Sequence, residues 1–578
     1  MPYLIKPPLL LLLLGLSCLG WSATALAESP VPPSPVLLVQ MPTIPPGTLE
    51  PPRPIPPLPN TLPDSRAPAP LKPTQPLPSE SIPDLPLQVR VQRVEVLGST
   101  VFSPQALAAV TAPFIGKTAT FEQLAAISTA ITELYTSNGY MTSGAFLPAQ
   151  DISSGYVKIQ VVEGDLEQIE VKGLTHLQTN YVRSRIARAG RSPLNLRHLE
   201  EALQLLQLDP LFSSVNAELS AGTTPGRSVL TVNLKEANPF TLALLLENRE
   251  SPSVGSLGGT ITLSHINLFG LGDRALAEVE KTEGITNYDV GYSVPINARN
   301  GTLSLRYANG KNRIIEQPFA RIGINSRSET VSLGFRQPII RTQRQEVSLG
   351  LSLERRQSQT YLLDDIPFSF SVGPEKGESK VTVLRFSQDW VKRSKRQVLA
   401  ARSQFSLGLD ALGATINNTG IDGRFFSWIG QFQWVQSLGK DSISIVRVGG
   451  QLTGDSLLPL EQFSVGGIDT VRGYRQNQQV GDNGAIASAE VRLPIVRDPK
   501  GVGLIQLAPF IDFGKVWNSK GAVSTDDTLL SVGIGLHWQI NRFFTARLDY
   551  GIPLIAVEHR GNSLQDNGVT FSVEMRPF

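Results

Sequence analysis

From about residue 240 to residue 578 the chain alternates apolar and polar residues, with no helical break over roughly 340 positions. Val290, Tyr292 and Val294 stand among Asp289, Gly291 and Ser293. Leu303, Leu305 and Tyr307 alternate with Thr302, Ser304 and Arg306. Val347, Leu349, Leu351 and Leu353 continue the pattern, as do Phe405, Leu407 and Leu409. A period of two belongs to a strand with unlike faces. A soluble sandwich alternates too, but here the intervening residues are often Arg, Glu, Gln and Ser, and the run is very long. No apolar stretch beyond the first residues reaches the ~20 positions that a spanning helix needs. A membrane role must then use strands, because only helices and closed barrels satisfy their backbone in lipid. At about 20 residues per strand and connection, the region holds roughly 16 to 17 strands, and single-chain bacterial barrels favour even counts. The pattern predicts a transmembrane β-barrel of about 16 antiparallel strands over 238–578.

The opposite end reads as a secretory precursor. Lys6 supplies a positive flank, 9–19 is a leucine-rich apolar run, and Ala25-Leu26-Ala27 is a small-x-small cleavage site. Residues 1–27 are therefore expected to be a signal peptide. Cys18 is the only cysteine, and Gly15 stands where a lipidation signal carries Leu. An exported chain without that residue is held together without disulfides and has no cysteine metal site or nucleophile. The net charge of +2, with no basic block, gives no reason to expect nucleic acid.

Residues 28–86 carry about half of the chain's 43 prolines, as in Pro51-Pro52-Arg53-Pro54-Ile55-Pro56-Pro57. Proline removes backbone donors and blocks helix, so this stretch is expected to be a disordered, extended spacer. No helical apolar period marks a helix within it.

Between spacer and barrel, one pattern occurs twice. Val89, Val91, Val94 and Val96 are strand-like, with a register slip. Thr120 and Gln123 form a capping-box pair, and Phe121, Leu124, Ser128, Ile131 and Leu134 recur at helical spacing up to a stop at Asn138-Gly139. Strands follow at 144–148 and at Val157, Ile159 and Val161. The order then repeats. Ile169 and Val171 precede Gly173, a helix spans 181–189, and Leu196, Leu199, Leu203 and Leu206 line another. Val215, Ala217 and Leu219 alternate, as do Leu230, Val232 and Leu234. Two β-α-α-β-β units, 87–164 and 165–237, are each long enough for one small core.

Signatures of catalysis are missing from the sequence. The five histidines lie scattered, with no His-Glu-x-x-His. Gly116-Lys117-Thr118 resembles the tail of a phosphate loop, but Thr111 stands where the first glycine belongs. There is no Gly-x-Ser-x-Gly elbow, and His537-Trp538 reads as an interfacial aromatic pair on a strand. No enzyme, metal or cofactor is expected.

Two motifs stand out instead. Val471-Arg472-Gly473-Tyr474 follows a glycine-bearing stretch, and Phe510-Ile511-Asp512-Phe513-Gly514 lies in a strand-like run. Each carries one charge of opposite sign in apolar or glycine-rich surroundings. Together with Gly139-Tyr140, Ala145-Phe146-Leu147-Pro148 and Val162-Glu163-Gly164, and with the early turn Asn267-Leu268-Phe269-Gly270, they make the chain resemble the outer-membrane transporters of two-partner secretion, the TpsB or ShlB/FhaC/HecB family.

The resemblance implies two polypeptide-transport-associated (POTRA) domains in the periplasm and a 16-stranded barrel in the bacterial outer membrane. It implies that Val471, Arg472, Gly473 and Tyr474 lie on a loop folded into the lumen. Arg472 would bond Asp512 on the wall, Tyr474 would pack against that wall, and Phe510, Asp512 and Gly514 would form the wall motif, with Gly514 leaving room. The partners implied are a secreted β-helical protein taken up unfolded and exported without ATP, the outer-membrane lipid, and the barrel assembly machinery. The alternative is an assembly or insertion factor of the same superfamily. Phe578 ends the chain as barrel proteins commonly end, but on the opposite parity to Val569, Phe571, Val573 and Met575. Either the strand stops near Met575 or a bulge resets its face.

Overall fold

The computed structural model describes residues 47–52, 57–58, 88–418, 420–498, 500–520, 527–541, 543–557 and 561–577. The expected signal peptide, most of the proline-rich stretch and Phe578 lie outside the described residues.

Two small α+β units come first. In one, the strand Arg93–Leu97 pairs in parallel with Tyr156–Val162, whose other side pairs antiparallel with Gly144–Phe146. Helices α1 (Pro104–Thr111) and α2 (Phe121–Ser137) belong to the same unit. Helix α2 starts at the capping box that the sequence predicts: Thr120 Oγ1 accepts from Gln123 N, and Gln123 Oε1 accepts from Thr120 N. Its buried residues are Leu124, Ile127, Ser128, Ile131 and Tyr135. Ile127 and Tyr135 thus replace Phe121 and Leu134 of the expected stripe. Tyr135 can be buried because its hydroxyl donates to Glu163.

The second unit repeats the plan. Asp165–Lys172 pairs in parallel with Arg227–Glu236, which pairs antiparallel with Phe212–Ala221. Helices α3 (Thr179–Ala189) and α4 (Leu196–Gln207) contribute Val182, Ile186, Leu199, Leu203 and Leu206 to its core.

Both units close the loop after the first strand in the same way, with a glutamate at the end of the last. Glu163 accepts from the backbone N of Thr100 and Val101, and Glu236 from those of Thr175, His176 and Leu177. Burial would raise both carboxyls, but hydrogen bonds outweigh it and hold each below the usual range, led by the Thr100 and Tyr135 hydroxyls at Glu163 and by the backbone donors at Glu236.

The units are joined through a helix end. The carbonyls of Ser137, Asn138 and Gly139, which would otherwise be orphaned, accept from Arg197 Nη2, Asn195 Nδ2 and Leu196 N. The turn at 267–273 then docks the second unit on the barrel. Gln178 N donates to Gly270 O, and the Tyr181 ring lies where a side chain at Gly272 would project.

Sixteen long strands form the closed antiparallel barrel. In chain order they are β1 (Phe240–Glu247), β2 (Gly258–Ile266), β3 (Arg274–Lys281), β4 (Ile285–Pro295), β5 (Thr302–Arg313), β6 (Asn325–Arg341), β7 (Gln345–Leu362) and β8 (Glu378–Arg393). The ring continues through β9 (Gln397–Leu409), β10 (Phe426–Gly439), β11 (Ser442–Thr453), β12 (Asn483–Asp498), β13 (Gly503–Trp517), β14 (Thr528–Gln539), β15 (Phe544–Pro553) and β16 (Val569–Met575). Strand β16 returns to β1, from Ser572 opposite Glu247 to Met575 opposite Leu244. Because β16 stops at Met575, Arg576 and Pro577 follow outside the strand and no bulge is needed to explain the terminus.

The alternation is the reverse of a soluble protein's. Leu303, Leu305, Tyr307, Leu333, Leu351, Ile511 and Leu548 are exposed, whereas Glu354, Arg385, Gln404, Gln433, Asp512 and Asp549 are buried. An apolar exterior around a polar interior suits lipid outside and a wet lumen inside, which disposes of the soluble sandwich. Strand prolines fall where ladders slip: Pro338 beside the shift in β6 and Pro494 beside that in β12.

The proline-rich stretch departs from a free spacer at 47–52. Leu49 is buried with Ile314 and Ile324, at the barrel end away from the two units. Ser326 Oγ donates to Leu49 O, and Ser371 Oγ donates to Glu50 Oε2. Further on, Gln433 Nε2 donates to Leu58 O. Proline leaves few backbone donors to satisfy, so the stretch can lie in this mouth with Leu49 as its apolar anchor.

Burial pushes the Glu50 carboxyl from 4.5 up to about 7, partly offset by the Ser371 hydrogen bond. A raised carboxyl favours the protonated form in the docked state. Docking is therefore strongest below the free value and is lost as pH rises through about 7, a linkage of about 3 kcal/mol. A fluorophore on Thr48→Cys should report release of 47–52 between about pH 5 and pH 8, and Glu50→Gln should flatten that profile.

Candidate functional site

The segment 454–482, between β11 and β12, folds into the lumen. It contains a short turn, Pro459–Glu461, and a two-stranded ribbon of Phe463–Val465 with Gln479–Gly481. Its tip carries Val471-Arg472-Gly473-Tyr474, all four buried.

Arg472 has a side chain only 2% exposed and binds the wall through every nitrogen. Its Nε donates to Asp512 Oδ2 at 2.7 Å and its Nη2 to Asp512 Oδ1 at 2.9 Å. Its backbone N donates to the same carboxylate at 3.1 Å. Nη1 donates to Glu490 Oε2 and lies 3.5 Å from Asp549 Oδ1. The guanidinium also stacks 3.5 Å above the Phe510 ring. Strand register explains the convergence: Ser488 lies opposite Asp512, and Glu490 opposite Phe510. Ser488 Oγ donates to Asp512 Oδ1 and so helps orient the carboxylate toward the arginine.

The surrounding ion pairs extend the cluster. Arg492 pairs with Glu490, and Arg547 with Asp549. His537 also faces inward, 3.8 Å from Glu490, so only Trp538 keeps the outward role read for the pair. A buried ion pair adds little net stability over an apolar equivalent, but removing one partner costs about 3–5 kcal/mol. With that asymmetry the cluster fixes where the tip sits.

Apolar packing completes the fit. Val465, Val471 and Tyr474 pack with Val516 of β13 and Leu529 of β14. The Tyr474 hydroxyl lies within hydrogen-bond range of the backbones of Leu530 and Ile555. Two wall glycines admit the tip. A Cβ at Gly514 would lie 2.7 Å from Val471, and one at Gly551 would lie 2.6 Å from Gly473 N.

The structure thus brings together all seven residues singled out in the sequence: Val471, Arg472, Gly473 and Tyr474 on the loop, and Phe510, Asp512 and Gly514 on the wall. Sequence reasoning missed Glu490, Ser488, Asp549 and Gly551. Their one signal is position on the inward face, which emerges only once strand register is known. Among the described residues no group of side chains is arranged to hold a metal ion.

Replacing Gly551 with Val should displace the tip without touching any charge. Protease cleavage within 454–482 is expected to rise at least several-fold in the purified protein, while the folded barrel keeps its heat-modifiable migration on gels.

Comparison with known proteins places this geometry in a family. Residues 226–538 match the family described as haemolysin secretion/activation protein ShlB/FhaC/HecB. Residues 89–164 match the ShlB-type POTRA domain. Among curated proteins, the chain is 25% identical over 469 residues to the outer membrane transporter CdiB of Dickeya dadantii, covering 79% of this chain and 81% of that one. It is 22% identical over 472 residues to the heme/hemopexin transporter protein HuxB of Haemophilus influenzae, covering 78% and 80%. Among solved structures, CdiB from Escherichia coli superposes with a TM-score of 0.67 at 23% identity, over 86% of this chain and 92% of that one. BamA from Haemophilus ducreyi lacking POTRA domains 1–3 shares the fold, with a TM-score of 0.52 at 14% identity over 85% and 100%. The chain belongs to the ShlB/FhaC/HecB family of outer-membrane transporters.

Proposed function

We propose that this transporter exports an unfolded, β-rich partner protein, taken up by the two N-terminal units in the periplasm and passed outward through the barrel. One observation carries the reading: the lumen is filled by a segment that the wall holds through side chains around Arg472, so the segment can leave without the barrel unfolding. A permanent wall would use the ladder instead.

Each step has a physical basis. The strand Phe212–Ala221 is one edge of its sheet and, among the described residues, is paired with Arg227–Glu236 alone. An extended client can add to such an edge through backbone bonds, with little demand on its sequence. We read 87–164 and 165–237 as tandem POTRA domains that present it. No nucleotide enters the cycle, and folding of the β-helical client outside supplies direction. The exposed apolar belt meets outer-membrane lipid, after insertion by the barrel assembly machinery.

A second reading, an assembly factor for other barrels, is favoured by the fold shared with BamA. The two differ in what accumulates: one secreted partner, or the outer-membrane proteins as a class.

Arg472→Ala should reduce export of the partner at least about ten-fold while the barrel still inserts, since one buried charge partner is worth more than the 1.4 kcal/mol that ten-fold represents. Wild-type export from that variant would count against the role of the loop. Deleting 88–163 should abolish client capture by the purified protein and leave channel conductance in planar bilayers.

A further inference from the structure

The lumen segment is tied to the wall at its root as well as at its tip. Glu461, eleven residues before Arg472, is only 4% exposed at its side chain. Arg385 Nη2 of β8 donates to its Oε1 at 2.8 Å and to its Oε2 at 3.0 Å. Arg356 Nη1 of β7 donates to Glu461 Oε1 at 3.1 Å and also to the carbonyl of Leu460. Arg385 is fixed in turn by Glu354 Oε2 at 2.8 Å and by Ser406 Oγ of β9 at 2.9 Å. Gln451 Nε2 donates to the Glu461 carbonyl at 2.9 Å.

The polarity is the reverse of the tip. There the loop gives a cation to wall carboxylates, and here it gives a carboxylate to wall guanidiniums. A second observation points the same way. The inward face of β8 carries Val381 and Val383, although an inward face should be polar. Both valines are fully buried under Leu457, Leu458 and Leu460 of the loop root. Apolar side chains facing a wet lumen are stable only if something stays on them.

The two ties hold different sectors of the ring. The ion pairs of the root are with β7 and β8 and those of the tip with β12, β13 and β15, about a third of the circumference away. The segment is a chord fixed at both ends.

We propose that Glu461 is a second positioning residue of the lumen loop: through Arg385 and Arg356 it holds the root on β7–β8, and the pore stays closed only while root and tip are both tied. The inference rests on the reading of the loop as the movable element of an export pore.

The test places a single cysteine at Ser464→Cys, on the ribbon between the two ties, in the full-length protein in proteoliposomes. The readout is the labelling rate with a membrane-impermeant maleimide. Glu461→Gln should raise that rate on the order of ten-fold, the effect of losing a charged, buried hydrogen-bond partner. Asp389→Asn breaks a wall ion pair that lies outside the tie, Arg402 with Asp389 at 2.6 Å, and should leave the rate close to that of the parent. An unchanged rate in Glu461→Gln, or an equal rise in both variants, overturns the proposal. Should Glu461→Gln fail to insert, Arg356→Gln tests the same tie from the other partner: faster labelling supports the proposal and an unchanged rate overturns it. No client is present, so failure here is distinct from failure of the export reading, which is measured by secretion.

Discussion

Sixteen strands can stand in hydrocarbon only if the last one pairs with the first, because every unpaired backbone group there costs several kcal/mol. In this protein that closure is short. Strand β16 meets β1 only from Ser572 to Met575. Beyond the ladder, the Asn248 side chain acts as a strand partner, donating to Val569 O and accepting from Phe571 N. Gln565 Nε2 then donates to Asn248 O. Closure sets the faces of every strand, and the faces set the chemistry of the lumen.

A closed ring of this size leaves a cavity that side chains from the wall do not fill. The protein fills it with chain. The segment 454–482 lies across it, and residues 47–52 lie in the mouth away from the N-terminal units. Both are held by a few buried polar contacts and by small apolar patches, two for 454–482 and one for 47–52, rather than by long ladders. Side-chain ties of this kind give a defined position and can be broken without disturbing the sheet, whereas loss of ladder bonds would open the barrel itself. The tip cluster shows why ions serve this purpose. Arg472 and its carboxylates contribute little net stability, but a misplaced tip would strand buried charges.

Much of this could be read from residues alone. A period of two over the last part of the chain, without an apolar helix, left a barrel as the one membrane solution. The Thr120–Gln123 pair marked the start of α2, and Leu199, Leu203 and Leu206 marked the buried face of α4. Arg472 and Asp512 could be matched because each lies in a short motif with local character. Glu490, Asp549, Glu461 and Arg385 carry no such mark. They are charged residues among many, and only register tells which of them face inward. Leu49 was hidden for a different reason: a leucine in a proline-rich stretch looks like spacer until Ile314 and Ile324 are found beside it.

The sequence by itself determined local preference: where strands alternate, where α2 and α4 form, where proline disfavours regular structure, and that no apolar run beyond the first residues is long enough for a spanning helix. Those properties depend on neighbours a few positions apart. Tertiary structure decided what depends on distant positions. The pairing of β16 with β1, the convergence of three carboxylates on Arg472, and the inward valines of β8 under Leu457 and Leu458 all join residues far apart in the chain. The physical reason is that a strand's two faces are equivalent until the ring closes. Only closure makes one of them a lumen in which an opposite charge has to be found.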